Sequence, residues 1–151
     1  MLLSKRSFLF ITTLAVCEAV LGTLSAASTQ QAMPWAKDLA TAQQEAARSG
    51  KLILIHFSGD RCAPCVRVER NVFSQPVVGH QIGTAFVPVH INASAQPKIA
   101  RQFQVTSWPT DLVLTSAGHE LHRMTSPQDP RAYLAELGKS VWRAQTMGKA
   151  A

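Results

Sequence analysis

The period of the apolar positions changes several times along the chain, and each change marks an element. From Pro34 to about Ser49, Trp35, Leu39, Ala42 and Ala46 recur at helical spacing in a stretch rich in Ala, Gln and Glu, and Gly50 follows as a stop. Leu52-Ile53-Leu54-Ile55-His56-Phe57 is apolar without alternation. A short run of that kind suits a strand covered on both faces, as in a parallel sheet under helices. Ser58-Gly59-Asp60-Arg61 turns the chain out of it. A second helix is predicted from Cys62 to about Phe73, with Cys65, Val68 and Val72 on one stripe, Glu69 and Phe73 flanking it, and Arg67, Arg70 and Asn71 facing away. Pro64 fits because it falls in the first turn, where its missing N–H is not needed. Pro76 marks a boundary.

Phe86-Val87-Pro88-Val89-His90-Ile91 is the next predicted strand, and Pro88 places it at an edge or at a bulge, because proline cannot donate to a ladder. A short helix follows over Pro97 to Phe103. Thr110–Thr115 and Glu120–Thr125 form a hairpin around Gly118, and a last helix runs from Asp129 or Pro130 to about Arg143. Strand–helix–strand implies a parallel pair with a right-handed crossover, and the hairpin adds antiparallel strands. The expected architecture is α/β: a mixed four-stranded sheet flanked by helices on both faces.

Composition supports one core and narrows the compartment. The 151 residues are 46% hydrophobic and 16% charged, which suits a single globular domain rather than a disordered chain. The formal charge is +6, but the basic residues are scattered. Nucleic-acid binding would want a basic face with aromatic platforms, so a soluble basic surface is expected instead. At the N-terminus, Lys5 and Arg6 precede the apolar run Phe8–Cys17, and Ser25-Ala26-Ala27 offers small residues for cleavage. This is the pattern of a secretory signal over residues 1–27, followed by a linker at 28–33 and a domain at 34–147. Two alternatives stay open. The segment 8–27 is about long enough to remain as a membrane anchor facing the extracytoplasmic side, although Glu18 in its middle opposes that. Cys17 could also carry lipid, although Val16 before it does not suit such a site.

The remaining cysteines, Cys62 and Cys65, are the chemistry. A C-x-x-C at a helix start lets two sulfurs meet across one turn. The unpaired N–H groups and partial positive charge there stabilise a thiolate, lowering its pKa from about 8.5 into the range of roughly 3.5–7.5. Arg61 adjoins the pair and adds to this effect. Cys62, at the exposed helix start, is the expected attacker; Cys65, one turn in on the apolar stripe, resolves the mixed disulfide. A structural disulfide fits less well, because so short a loop removes little unfolded-chain entropy. Two cysteines are half a zinc site, and no histidine stands at a ligand spacing from them; copper(I) on two thiolates is conceivable.

The strand, the C-x-x-C helix and the later Thr106-Ser107-Trp108-Pro109-Thr110 together resemble the thioredoxin superfamily over Lys51 to Leu121. Glu69 with Val72-Phe73-Ser74-Gln75-Pro76-Val77 is similar to the thioredoxin-like domains of the disulfide-interchange reductases of the bacterial envelope. The resemblance implies a thioredoxin-like fold and a cis-proline at Pro109 beside the cysteines. It also implies that the backbone at Trp108, with Ser107 and Arg61 nearby, meets an extended substrate. It departs from thioredoxin twice: Arg61 replaces the tryptophan before the first cysteine, and His56 stands where thioredoxins bury an aspartate. A neutral imidazole at His56 would serve as a proton acceptor, or it would be a satisfied core histidine.

The expected function is an extracytoplasmic thiol–disulfide oxidoreductase acting on protein disulfides or dithiols, more a reductant than an oxidant. No cofactor is expected beyond Cys62 and Cys65. An upstream membrane or soluble thiol partner resets the pair, nucleic acid plays no part, and the protein is expected to be a monomer. The alternative from another class is a binding module that holds copper or a partner protein without turnover.

Overall fold

A computed structural model describes residues 33–149. The expected signal segment 1–27 and all of the 28–33 linker but its last residue lie outside the described residues. The first helix, α1 (Leu39–Ser49), begins later than the Trp35 spacing predicts. Asp38 is extended and its carboxylate accepts the Thr41 N–H at 2.7 Å, which caps the helix at that point. The preceding residues are spent on the sheet: the Ala36 N–H donates to the Pro88 carbonyl at 2.7 Å, and Trp35 packs on Phe73. Gly50 ends α1 with φ 69°, a left-handed cap whose N–H returns to the Ala46 carbonyl.

The sheet holds β1 (Leu52–Ser58), β2 (Phe86–Asn92), β3 (Thr110–Leu114) and β4 (Glu120–Thr125) in the order β2-β1-β3-β4. β1 runs parallel to β2 and antiparallel to β3, and β4 closes the hairpin antiparallel to β3. This is the expected mixed four-stranded sheet with helices on both faces. β2 is an edge strand, where the missing N–H of Pro88 is tolerated. Alternation divides the core in two. Ile53, Ile55 and Phe57 of β1 join Val87, Val89, Ile91, Leu112 and Leu114 on the face that also packs Ala42 and Ala46 of α1. Leu54 and Val113 point the other way, to Val68, Val72, Phe73, Ile82 and Tyr133.

After β1 the chain departs from expectation in two places. The helix predicted over Cys62 to Phe73 is α2 (Ala63–Val68) with Cys62 as its N-cap, continued by a π-helical turn over Glu69–Phe73. The Ser74 N–H reaches back five residues to the Glu69 carbonyl. This wider turn puts both Val72 and Phe73 in the core, so Phe73 is buried rather than flanking. Pro76 is not simply a boundary: it opens α3 (Pro76–Ala85), where a proline at the first position costs no hydrogen bond. The periodicity of α3 is weak because Gly79, His80, Gln81 and Gly83 leave only Val78 and Ile82 as a clear apolar pair. α4 (Pro97–Gln102) precedes the hairpin, and α5 (Pro130–Lys149) continues past Arg143, where the sequence placed its end.

Candidate functional site

Cys62 and Cys65 are joined as a disulfide. Ser58–Arg61 bring the chain off the end of β1, and Arg61 turns in the left-handed region (φ 52°) so that Cys62 starts α2. The Cys65 N–H donates to Cys62 Sγ at 3.1 Å. A reduced Cys62 would therefore face a free helix donor, an arrangement that favours a thiolate. The exposure argument for their roles does not separate them: both cysteines are 8% exposed in the disulfide. What distinguishes Cys62 is its position at the helix cap and its second neighbour, the Trp108 carbonyl, 3.8 Å from Sγ.

The Trp108–Pro109 peptide bond is cis and Pro109 is buried. Thr110 steadies this loop by donating its hydroxyl to the Ser107 carbonyl at 2.8 Å. Ser107 and Trp108 are exposed, so the indole is not a core side chain. It lies across Gly59 instead. A Cβ on Gly59 would sit 2.3 Å from Cε2 and Nε1 of the indole, so only glycine fits beneath it.

A groove of about 1030 Å³ opens beside the cysteines, and His56, Arg61, Cys62 and Cys65 line it together. Ser107, Trp108 and Pro109 do not line it; they approach the pair through the Trp108 carbonyl. The groove continues past Phe73 and His90 to Trp35 and Met33.

His56 is buried in mid-sheet, and its Nδ1 lies 2.7 Å from Asp111 Oδ1. The sheet register makes this pair: His90, His56 and Asp111 sit directly opposite one another on β2, β1 and β3. Residues in register share a face, so all three side chains emerge on the side of α2 and α5. Phe73 packs edge-on against His56 with ring centres 4.8 Å apart, and against Tyr133 at 5.3 Å. Tyr133 is fully buried; burial first, and then the neighbouring Asp111 charge, push its phenol well above the usual tyrosine range. His90, at the partly exposed edge of this row, bonds Ser58 Oγ at 2.7 Å. Desolvation, and then His56, lower its pKa below the ordinary imidazole value.

His56 stands out in the sequence, whereas Asp111, Tyr133, His90 and Trp35, which surround it in the fold, do not. One signal was present: Asp111 is the sole charged residue of a strand that is otherwise Thr, Leu, Val and Leu, and a buried carboxylate there requires a partner. Among the described residues, no three His, Cys, Asp or Glu side chains gather as a metal-binding group.

Comparison with known proteins agrees with this geometry. A thioredoxin-like protein of Synechocystis is 32% identical over 101 residues, 67% of this chain and 92% of its own length. Among solved structures, a thioredoxin from Thermus thermophilus matches with a TM-score of 0.68 at 22% identity, covering 78% of this chain and 94% of that one. The DsbH oxidoreductase matches with a TM-score of 0.66 at 20% identity, covering 73% and 85%. At those identities the structural matches speak for the fold. The family model of the thioredoxin-like domain matches residues 39–140, and with the sheet order, the helix-capping disulfide and the proline loop in place, the chain belongs to the thioredoxin superfamily.

Proposed function

We propose that this protein is an extracytoplasmic thiol–disulfide oxidoreductase that exchanges disulfides with protein substrates and works more as a reductant than as an oxidant. The observation that carries the reading is the setting of Cys62 Sγ, which takes the Cys65 N–H at 3.1 Å and lies 3.8 Å from the Trp108 carbonyl. In the reduced protein the Cys62 thiolate attacks a substrate disulfide, and one substrate sulfur leaves with the electron pair. Cys65 then attacks Cys62 Sγ, releasing the second substrate sulfur and closing the intramolecular disulfide. His56, in the same groove, accepts the Cys65 proton. An extended substrate segment pairs with the backbone at Trp108, with Ser107 and Arg61 at its margin.

The extracytoplasmic placement is supported by Lys5 and Arg6 before the apolar run and by Ser25-Ala26-Ala27 after it. In an oxidising compartment a reductant needs an upstream thiol donor, membrane-bound or soluble. The likeness of Glu69 and Val72–Val77 to the envelope interchange reductases supports the reducing direction. Replacing Cys65 by Ser and analysing cell extracts on non-reducing gels tests the exchange. The expected result is a set of covalent adducts through Cys62 that dithiothreitol removes and that the double variant Cys62→Ser/Cys65→Ser does not form. Absence of adducts from the Cys65→Ser protein would remove the basis for this reading.

A further inference from the structure

The structure assigns a role to Asp111: we infer that it is the positioning residue for His56, holding the proton on Nδ1 so that Nε2 is the base presented to Cys65. This rests on the reading of His56 as the Cys65 proton acceptor, and it adds a residue from a different strand.

Three observations carry it. First, Asp111 Oδ1 is 2.7 Å from His56 Nδ1, with both side chains buried, so the two ring nitrogens are not equivalent. An ionised carboxylate only accepts, so the nitrogen facing it bears the hydrogen. Among the described residues Nε2 has no hydrogen-bond partner. Second, the pair is fixed by the sheet. His56 and Asp111 are opposed on β1 and β3, and Phe73 and Trp35 close over the imidazole, leaving the ring little freedom to turn. Third, Asp111 Oδ2 and the Tyr133 hydroxyl are buried without a hydrogen bond of good geometry, while Asp111, after burial itself, raises the phenol's pKa by its charge and by a weaker side-chain hydrogen bond. Among the described residues, His56 is therefore the side chain the carboxylate bonds at full hydrogen-bond geometry, with Tyr133 as its weaker second neighbour.

The groups around the imidazole come from every element packed on it. His90 is opposite on β2 and Asp111 on β3. Tyr133 of α5 packs on Phe73 beside them. From the α2 side, Cys62, Cys65, Glu69 and Arg70 line the shared groove, with Arg61 at its start. None of these others contacts Nδ1 by a hydrogen bond.

In the resolving step, the Cys65 thiol passes its proton to His56 Nε2. The new thiolate attacks Cys62 Sγ, and the bond between Cys62 and the substrate sulfur breaks. The electron pair leaves with the substrate sulfur as a thiolate. The imidazolium formed is stabilised by Asp111 and returns its proton to that thiolate or to solvent. With Asn at 111, a carboxamide can accept from or donate to Nδ1, and the tautomer is no longer set.

The experiment combines rapid-mixing kinetics with histidine NMR. A mixed disulfide is formed on Cys62 with a small aromatic thiol, and release of the thiol through Cys65 is timed across pH in the wild type, Asp111→Asn and His56→Gln. The expected result is release slowed on the order of 100-fold in both variants near neutral pH, with the rate of the first attack by Cys62 little changed. The part of the pH profile that depends on an imidazole is lost in His56→Gln and kept in Asp111→Asn, which retains the ring. Side-chain 15N shifts of reduced wild-type protein are expected to show His56 protonated at Nδ1. Normal release in His56→Gln would sink the reading of His56 itself. Slow release in His56→Gln with wild-type release in Asp111→Asn would overturn the assignment of Asp111 alone. A wild-type His56 protonated at Nε2 would overturn it as well, and that measurement holds even if Asp111→Asn does not fold.

Discussion

At the scale of single residues, the site depends on contacts that leave little latitude. Gly59 is the clearest case, because the Trp108 indole occupies the place where its side chain would be. Gly59→Ala should destabilise the fold by about 1–3 kcal/mol, the usual cost of overpacking. In a Trp108→Ala background that cost should vanish, because the clashing ring is gone. Chemical denaturation of the four proteins checks this, and an equal cost in both backgrounds would show that the indole is not what Gly59 accommodates. The backbone carbonyl of the same residue lies 3.8 Å from Cys62 Sγ. Through these two contacts Trp108 ties the loop before the cysteines to the loop before Thr110. The Asp111–His56 pair is the buried counterpart of that tie, joining β1 to β3 beneath the cysteines.

At the scale of elements, the sequence was most legible where local pattern and tertiary need coincide. β1 and the β3–β4 hairpin show as continuous apolar or turn-punctuated runs because they are central or tightly connected. Cys62 and Cys65 were legible because their chemistry has a spacing, and the Ser107–Thr110 loop because it resembles the thioredoxin superfamily. What failed to show depended on the other side of the molecule. Trp35 has helical spacing to Leu39, yet the sheet edge takes Ala36 and the aromatic cluster takes Trp35, so α1 waits for the Asp38 cap. α3 was hidden by its glycines and polar residues, and the π-helical turn leaves no mark in a hydrophobic pattern. Asp111 was visible as a misfit, but its partner is 55 residues away in sequence and only strand register brings them together. The Asp38 cap makes its own prediction. The Thr41 N–H lowers the Asp38 pKa, so the folded value lies below the unfolded one, ordinarily about 3.9. Its stabilisation is present above the unfolded value and is lost as pH falls through the folded one. Asp38→Ala should lower the melting temperature at neutral pH, with the gap to wild type narrowing as pH falls below the ordinary aspartate range. Thermal melts across that fall in pH test it, and Asp38→Asn, which still caps, should stay close to wild type at neutral pH.

At the scale of the whole molecule, the fold gathers its polar groups along one line through an otherwise apolar sheet. His90 at the edge, His56 in the middle and Asp111 beyond it share one level, with the cysteines lining the same groove as the two histidines. The other face of the sheet is apolar from Ile53 to Phe57 and carries α1. Both faces carry a core, and on the face packed by Val68, Val72, Phe73 and Tyr133 that core also encloses His56 and Asp111 beside the thiol pair. In the proposed function Cys62 and Cys65 exchange electrons with thiols and favour donating them. Equilibrating the protein in glutathione buffers of graded ratio, then counting alkylated cysteines by mass, measures this. A two-electron transition with a midpoint toward the thioredoxin end, at about −270 mV, is expected. A midpoint near −120 mV would reverse the proposed direction, and a pair that stays oxidised or reduced across all ratios would contradict exchange itself.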